Sequence, residues 1–357
     1  LRTVSVSQIK AGDKLLEAVN SRFGNALFYK GRILTERDAE ILKAFLISTV
    51  TIDSGTSNSG QESAGAVASL DIDTKQISSF DLSYDKMLQL LKKAFGLVLG
   101  NSALPVLEMR NELHKLIEHI EGYQVLTFTP RQFQLQDFVY HNSIMVSLTS
   151  YLLAKWHGLP QKDWMQIALA GLLHDIGNAK IDQALLVKPT KLTPIELEEM
   201  RQHTLYGYNV LKPIAALNEG VKLCSLQHHE REDASGYPLG LKSDQIHIYS
   251  KVVAVADIFH AMTSVRYHQV ATSPYVVLEQ LSKDAFGKVD PAIVNTFIDK
   301  VTSFHIGTVV KLNDNRVGEI VFSDRSYPTR PWVNINGTIV NLTMERNLYI
   351  QEVIEAR

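Results

Sequence analysis

Residues 168–182 constrain this chain more than any other stretch. They read Ala-Leu-Ala-Gly-Leu-Leu-His174-Asp175-Ile-Gly177-Asn178-Ala-Lys180-Ile-Asp182, an apolar helical run that meets adjacent His and Asp and then a glycine. The apolar residues over 167–173 place the segment in an interior, where His and Asp are costly unless paired or metal-bound. Successive helical residues point about 100° apart. His174 can therefore hold one ion while the two oxygens of Asp175 reach that ion and a second. Gly177 suits the left-handed position that ends a helix. A buried hydrogen-bonded His–Asp pair and a metal site both satisfy this stretch taken alone.

Further His and Asp residues recur in apolar, helix-compatible segments. His203 lies in Met200-Arg-Gln-His203-Thr-Leu-Tyr-Gly207, His228 and His229 in Leu226-Gln-His228-His229-Glu230-Arg231, and Asp257 in Val253-Ala-Val-Ala-Asp257-Ile-Phe. The intervals are nearly constant, each about one helix plus its return connection in a bundle. Side chains at similar height on such helices converge in the core. Four His and two Asp form a mixed nitrogen and oxygen donor set, suited to Fe, Mn, Ni or Zn rather than Ca. The single cysteine, Cys224, excludes a thiolate zinc site and an intrachain disulfide.

These pieces resemble the HD-GYP family of HD phosphohydrolases. The matching residues are His174-Asp175-Ile-Gly177, Lys188-Pro189 with Leu192-Thr193, His203 with Gly207, and His228-His229-Glu230-Arg231-Glu-Asp233-Ala-Ser-Gly236-Tyr237-Pro238. They continue through Asp257, Met262–Arg266 and Phe286–Pro291, so the resemblance covers about residues 135–300. It implies a helical bundle holding two or three divalent transition-metal ions, Fe or Mn first, with Zn and Ni as alternatives. It implies metal ligation by His174, Asp175, His203, His228, His229 and Asp257, and hydrolysis of cyclic di-GMP to a linear dinucleotide and onward to GMP. It also brings Lys188, Asp233, Gly236, Tyr237, Pro238 and Arg266 to the substrate. Asp175, Lys180 and Arg266 are the expected catalytic groups, and Glu230 and Arg231 are expected to orient the His pair.

The chain departs from the family pattern in places. Relatives carry a first His ligand on the helix that here contains Asp137-Phe-Val-Tyr-His141-Asn142. Counting back from Leu152-Leu-Ala-Lys-Trp156-His-Gly158, that slot falls on Asn142. His141 is nevertheless expected as the ligand, through a one-residue bulge of the kind found at functional sites. Asn178 stands where the family has a phosphate-binding Lys; it is itself expected to bind the substrate, as an uncharged hydrogen-bond donor, with Lys180 as the expected source of the missing charge. His260 follows Asp257 by three residues and is read as packing rather than ligating. These departures keep two alternatives open, a cyclic-dinucleotide sensor of weak or no activity and a phosphohydrolase for another nucleotide.

The overall expectation is a mainly α protein, an HD-type bundle flanked by two small modules. Residues 1–52 read as an α/β module, with strands at Lys14–Val19 and Ala26–Tyr29, a turn over Asn20–Asn25 and a helix from Thr35 to Ile47. Residues 53–70 are a Gly/Ser-rich linker, 71–127 bracing helices and 128–301 the catalytic bundle. Residues 302–357 read as five short strands in a barrel-like β domain, with Asn336-Gly337 as a hairpin turn and Arg325 and Arg330 as loop cations near Trp332. A net charge of −2 over 357 residues argues against binding nucleic acid or a membrane surface through bulk electrostatics. With a lone cysteine and no long apolar run, the chain reads as cytoplasmic. A homodimer, and protein partners through the terminal modules, stay open.

Overall fold

In a computed structural model the chain divides into two compact units, Leu1–Lys75 with Ser303–Arg357, and Gln76–Thr302. The structure describes residues 2–10, 12–20, 26–28, 30–35, 38–39, 42, 47, 49–53, 78–131, 133–267, 271–302, 306–324 and 326–354. The turn over 21–25, the linker from 54 to 70, most of the helix over Thr35–Ile47, and Arg325 fall outside them.

The second unit is helical. It contains α1 (Ser79–Leu99), α2 (Val106–Glu118), α3 (Phe138–Trp156), α4 (Gln161–Leu173), α5 (Pro194–Arg201) and α6 (His203–Leu211). It continues with α7 (Glu219–Gln227), α8 (Ile248–Thr263), α9 (Pro274–Asp284) and α10 (Pro291–Val301). The helix starts are written in sequence. Ser78 caps α1, Thr193 and Glu196 close a capping box on α5 with Pro194 at its first position, and Asp290 caps α10 beside Pro291.

Tyr84, Met87, Leu88, Leu91, Phe95 and Val98 form the buried stripe of α1, at the spacing of one helix face. α3 is different. All ten residues from His141 to Ser150 are buried, so it runs through the middle of the bundle. Gly171 lets α4 approach it, because a Cβ there would lie 2.9 Å from the Ser147 Cα. One continuous apolar core joins α1 to α10. No helix among the described residues is long and apolar enough to cross a membrane.

The first unit is built from strands. β1 (Arg2–Ser5), β5 (Thr49–Asp53) and β2 (Lys14–Leu15) pair antiparallel in that order, and β3 (Val19–Asn20) pairs with β4 (Ala26–Phe28). The single strand expected over Lys14–Val19 is therefore two short ones. In the C-terminal part, β6 (Val309–Leu312), β7 (Val317–Phe322), β8 (Trp332–Ile335), β9 (Thr338–Asn341) and β10 (Ile350–Ile354) form one antiparallel sheet in the order β10-β6-β7-β8-β9. Asn336 and Gly337, at φ 52° and 90°, join β8 to β9, as the hairpin signal requires. No ladder among the described residues joins β9 to β10. Val309 and Ile354 pack into the same cluster as Val4, Leu15, Phe28 and Ile52, so the two ends of the chain share a core.

Candidate functional site

The site begins where α4 ends. Gly177 does not take the left-handed conformation expected of a helix stop. It lies inside a 3-10 turn, Ile176–Lys180. It is glycine because a Cβ there would collide with the His203 carbonyl oxygen and come within 2.5 Å of the Gly207 nitrogen. Gly207 in turn leaves room for Ser225 Oγ, and that hydroxyl donates to the His174 carbonyl at 3.0 Å. The glycines thus lay the His174–Lys180 segment on the start of α6, which carries Asp175 to His203.

Three imidazoles are locked in the same way. Nδ1 of His174 donates to the Gly171 carbonyl at 2.7 Å, that of His203 to Met200 at 2.7 Å, and that of His228 to Cys224 at 3.1 Å. A carbonyl only accepts, so each Nδ1 carries a proton and each Nε2 turns inward. The Nε2 atoms of His203 and His228 are 3.4 Å apart, and lie 3.3 and 3.6 Å from Asp175 Oδ1. In the neutral tautomers these are three acceptors facing one another, which a cation between them satisfies. One ligand atom from each of Asp175, His203, His228 and His229 falls within 4.8 Å of every other. On the other side of Asp175, His174 Nε2 lies 3.4 Å from Asp175 Oδ2 and 3.5 Å from Asp257 Oδ1.

The electrostatics suit metal binding. Burial lowers the pKa of His229, and the neighbouring His228 and His203 push it further, well below the ordinary value. Burial lowers His203 as well, against the pull of Asp175. Both rings are therefore kept neutral, the form that ligates. Burial opposes ionisation of Asp175 and Asp257, but the surrounding imidazoles, His174 first, hold both below the usual carboxylate range. Burial also disfavours charge on His174, yet Asp175 and Asp257 outweigh it and raise its pKa. Two carboxylates facing one imidazole favour positive charge there, whether a proton or a metal ion supplies it.

The structure brings Asn142, not His141, to this centre. Asn142 Nδ2 donates to Asp257 Oδ1 at 3.1 Å. His141 turns away: its Nδ1 bonds the Tyr84 hydroxyl at 3.0 Å, and its ring packs on Tyr84 and Phe133. α3 carries no bulge at this point, so the one-residue offset stands and the two side chains point to different faces. His260 packs as expected, with Nε2 2.7 Å from Thr149 Oγ1 and 3.1 Å from the Tyr123 hydroxyl. Burial drops its pKa to about 3.

A cavity of about 1070 Å³ opens over the centre, lined by Asp175, His203, His229 and Asp257 with Asn178, Tyr237 and Arg266. Asn178 is buried with no partner for its Oδ1 among the described residues. Arg266 lays its guanidinium 4.5 Å from the centroid of the Phe138 ring and likewise has an unpartnered Nε. Tyr237 stacks on the His229 ring at 4.7 Å, with the Arg201 guanidinium 4.9 Å from its centroid. Lys180 lines the cavity, but its ammonium donates to Asn101 Oδ1 at 2.6 Å and to the Leu99 carbonyl at 3.3 Å.

Lys188, Asp233, Gly236 and Pro238 do not line the cavity. Lys188 is held by both oxygens of Glu196 at 2.6 Å. Asp233 accepts from the Ser235 amide and hydroxyl in a local turn. Gly236 is packed on the backbone of Glu230, whose Cα would lie 2.5 Å from a Cβ. Reading 71–127 as bracing helices misses that Lys92, Phe95 and Leu99 of α1 form a wall of this cavity.

Glu230 fixes the loop that carries Tyr237. Its buried carboxylate accepts from the Leu239 amide at 2.7 Å and the Leu241 amide at 2.9 Å, while Arg231 donates to the His228 carbonyl at 3.3 Å. Charged hydrogen bonds contribute about 1.5–3 kcal/mol each. Glu230→Gln turns one acceptor into a donor facing an amide, and is expected to destabilise the protein by about 2 kcal/mol. A urea titration checks this, and an unchanged midpoint would show that the loop is held by other contacts.

Residues 132–293 match the HD domain family. The cyclic di-GMP phosphodiesterase PA4108 of Pseudomonas aeruginosa is 31% identical over 185 residues, covering 52% of this chain and 44% of that protein. The 3'3'-cGAMP-specific phosphodiesterase 2 of Vibrio cholerae is 31% identical over 160 residues, covering 44% of this chain and 31% of that one. The chain thus spans less than half the length of either. Among solved structures, Bd1817, an HDG"Y"P protein from Bdellovibrio bacteriovorus, aligns over 85% of this chain and 99% of its own with a TM-score of 0.53. At 16% identity that likeness concerns the fold alone. An HD domain implies divalent-metal binding, and the His/Asp cluster fits it through its inward-turned Nε2 atoms and its bridging carboxylate. The domain match, these sequence relatives, and His174-Asp175 in register with Gly236-Tyr237-Pro238 give residues 132–293 an HD domain similar to those of the HD-GYP phosphodiesterases.

Proposed function

We propose that the protein is a metal-dependent phosphodiesterase that opens cyclic di-GMP to the linear dinucleotide, with GMP as the onward product. The observation that carries this reading is the convergence of His203 Nε2, His228 Nε2 and Asp175 Oδ1, three acceptors within 3.6 Å of one another. Two ions are proposed, of Fe or Mn, with Zn and Ni as alternatives. His174, Asp175 and Asp257 would hold one, and Asp175, His203, His228 and His229 the other. Bound divalent ions supply Lewis-acid charge to a phosphodiester and bring the pKa of water toward neutrality.

The chain's own residues do the rest. Arg266 lines the cavity, its buried Nε has no partner among the described residues, and a guanidinium there suits a phosphate oxygen. Asn178, which lines the same cavity, offers an uncharged hydrogen-bonding group. Tyr237, stacked on His229, holds that ring in place and closes one side of the cavity. Lys180 is proposed to brace the turn after His174 rather than to bind phosphate, because its ammonium is engaged at the end of α1. Incubating the purified protein with cyclic di-GMP and with 3'3'-cGAMP, and separating products by chromatography, tests the reading. A linear dinucleotide from cyclic di-GMP is expected, and faster cleavage of cGAMP would reassign the substrate.

A second reading, a cyclic-dinucleotide sensor that hydrolyses slowly, is favoured by Asn142. An amide is a poor transition-metal ligand, and here it occupies the position next to Asp257. Asn142→His is expected to lower, at least fivefold, the metal concentration needed for half-maximal rate. An unchanged metal titration would mean that the centre is complete without a ligand from α3.

A further inference from the structure

We infer that Gly96 of α1 opens a slot for a purine base of the bound cyclic dinucleotide, the base that lies away from the metal ligands. The inference rests on the cyclic-dinucleotide reading and adds a residue that sets which ligands fit.

Glycine within a helix costs stability relative to alanine, so it needs a reason. At Gly96 neither the backbone nor the packing supplies one. Its φ is not in the left-handed region, and the helix is capped by Gly100, four residues on. Gly96 is exposed, and a Cβ built on it would meet nothing within 4 Å among the described residues. By contrast, a Cβ at Gly171, Gly177, Gly207 or Gly236 would strike a neighbour. Gly96 nevertheless lines the cavity that holds Asp175, His203 and Asp257. A helical glycine facing open space in a ligand cavity is the pattern expected where a ligand approaches the backbone.

The surroundings suit a flat, polar-edged ring. Lys92, Phe95, Gly96 and Leu99 form one stripe of α1 along the cavity. Phe95 meets Tyr140 edge to face at 5.0 Å. The Lys92 ammonium is fixed by Asp137 at 2.8 Å and lies 5.8 Å from the centroid of the Tyr140 ring. Leu99 supplies an exposed apolar rim. A bare helix turn between an apolar rim and an anchored cation offers a face to stack on and a charge for a carbonyl edge. A cyclic dinucleotide with one phosphodiester at the metal centre must house a base further along the same cavity.

The test compares wild type, Gly96→Ala and Gly96→Leu. Calorimetry on the holoprotein reads the affinity for cyclic di-GMP, and kinetics read the kcat/KM ratio for cyclic di-GMP over bis(p-nitrophenyl) phosphate. Gly96→Leu is expected to weaken binding at least tenfold and to lower that ratio at least tenfold. Gly96→Ala, with its better helix propensity, is expected to raise Tm by about 2–4 °C, which shows that the backbone tolerates a side chain. Wild-type affinity in Gly96→Leu would overturn the slot, as would equal losses on both diesters. Binding without hydrolysis by the wild type would leave the slot supported and remove the phosphodiesterase reading instead. Failure of the wild type to bind cyclic di-GMP would overturn both.

Discussion

Asp175→Asn is expected to strip the protein of metal and to lower turnover of a cyclic dinucleotide by at least about a thousandfold, roughly 4 kcal/mol in the barrier. The substitution preserves shape and removes charge. Asp175 Oδ1 faces His203 and His228, and Oδ2 faces His174. Among the described residues the carboxylate is the group whose two oxygens reach both halves of the centre, so no other ligand is expected to compensate for it. An amide nitrogen turned inward would also point a donor at the space a cation fills. Elemental analysis and a turnover assay on the same preparation check the result. His157→Ala is the control, because its Nδ1 bonds Thr296 Oγ1 at 2.9 Å and the residue has no part in the centre. Metal content and rate within tenfold of wild type in Asp175→Asn would show that the carboxylate is structural.

Gly177→Ala is expected to be the most damaging single methyl in the helical unit. The added Cβ meets backbone on both sides, the His203 carbonyl and the Gly207 nitrogen, and neither can rotate away as a side chain could. Overpacking costs typically about 1–3 kcal/mol, and a backbone collision belongs at the upper end. For a unit of this size, about 3 kcal/mol corresponds to a Tm lower by roughly 6–12 °C. Metal affinity should fall with it, because separating the turn from α6 separates Asp175 from His203. The pair of variants is diagnostic. Asp175→Asn should lose metal with little structural cost beyond the lost ion, whereas Gly177→Ala should lose stability even in excess chelator. A thermal scan with chelator present distinguishes them, and equal Tm values for Gly177→Ala and wild type would refute the close-approach account.

Much of the centre is legible in sequence because buried His and Asp carry their own explanation. Residues such as His203 and Asp257 stand in apolar helical runs and must meet something charged. Register is legible too. Counting along α3 points to Asn142, and the structure places Asn142 at Asp257. The preference for His141 gave an imidazole more weight than a 100° turn of the helix, and a regular helix does not yield that turn. Gly177 shows a different limit. A glycine after a helix suggests a left-handed stop, but its actual role is set by a segment 26 residues or more away, His203 to Gly207, and a local pattern does not contain that contact. The partners of the expected cations are set by distant contacts in the same way. Lys180 and Lys188 have the charge for phosphate, but Asn101 and Glu196 claim their ammonium groups. The α1 wall was hidden because a stripe of apolar residues looks the same whether its far edge meets a core or a cavity. The shared core of Val4 and Ile52 with Val309 and Ile354 joins segments some 250 residues apart, which no short-range pattern records.

Metal-dependent cleavage of a cyclic dinucleotide at the His/Asp centre is the proposed function. Its most direct test is the rate of cyclic di-GMP hydrolysis by one preparation, measured after chelation and again during back-titration with Mn or Fe. No hydrolysis is expected after chelation, and recovery is expected to saturate near two equivalents of metal per chain. Hydrolysis that persists in full in the chelated protein, or a fully metal-loaded protein that leaves cyclic di-GMP intact, would contradict it.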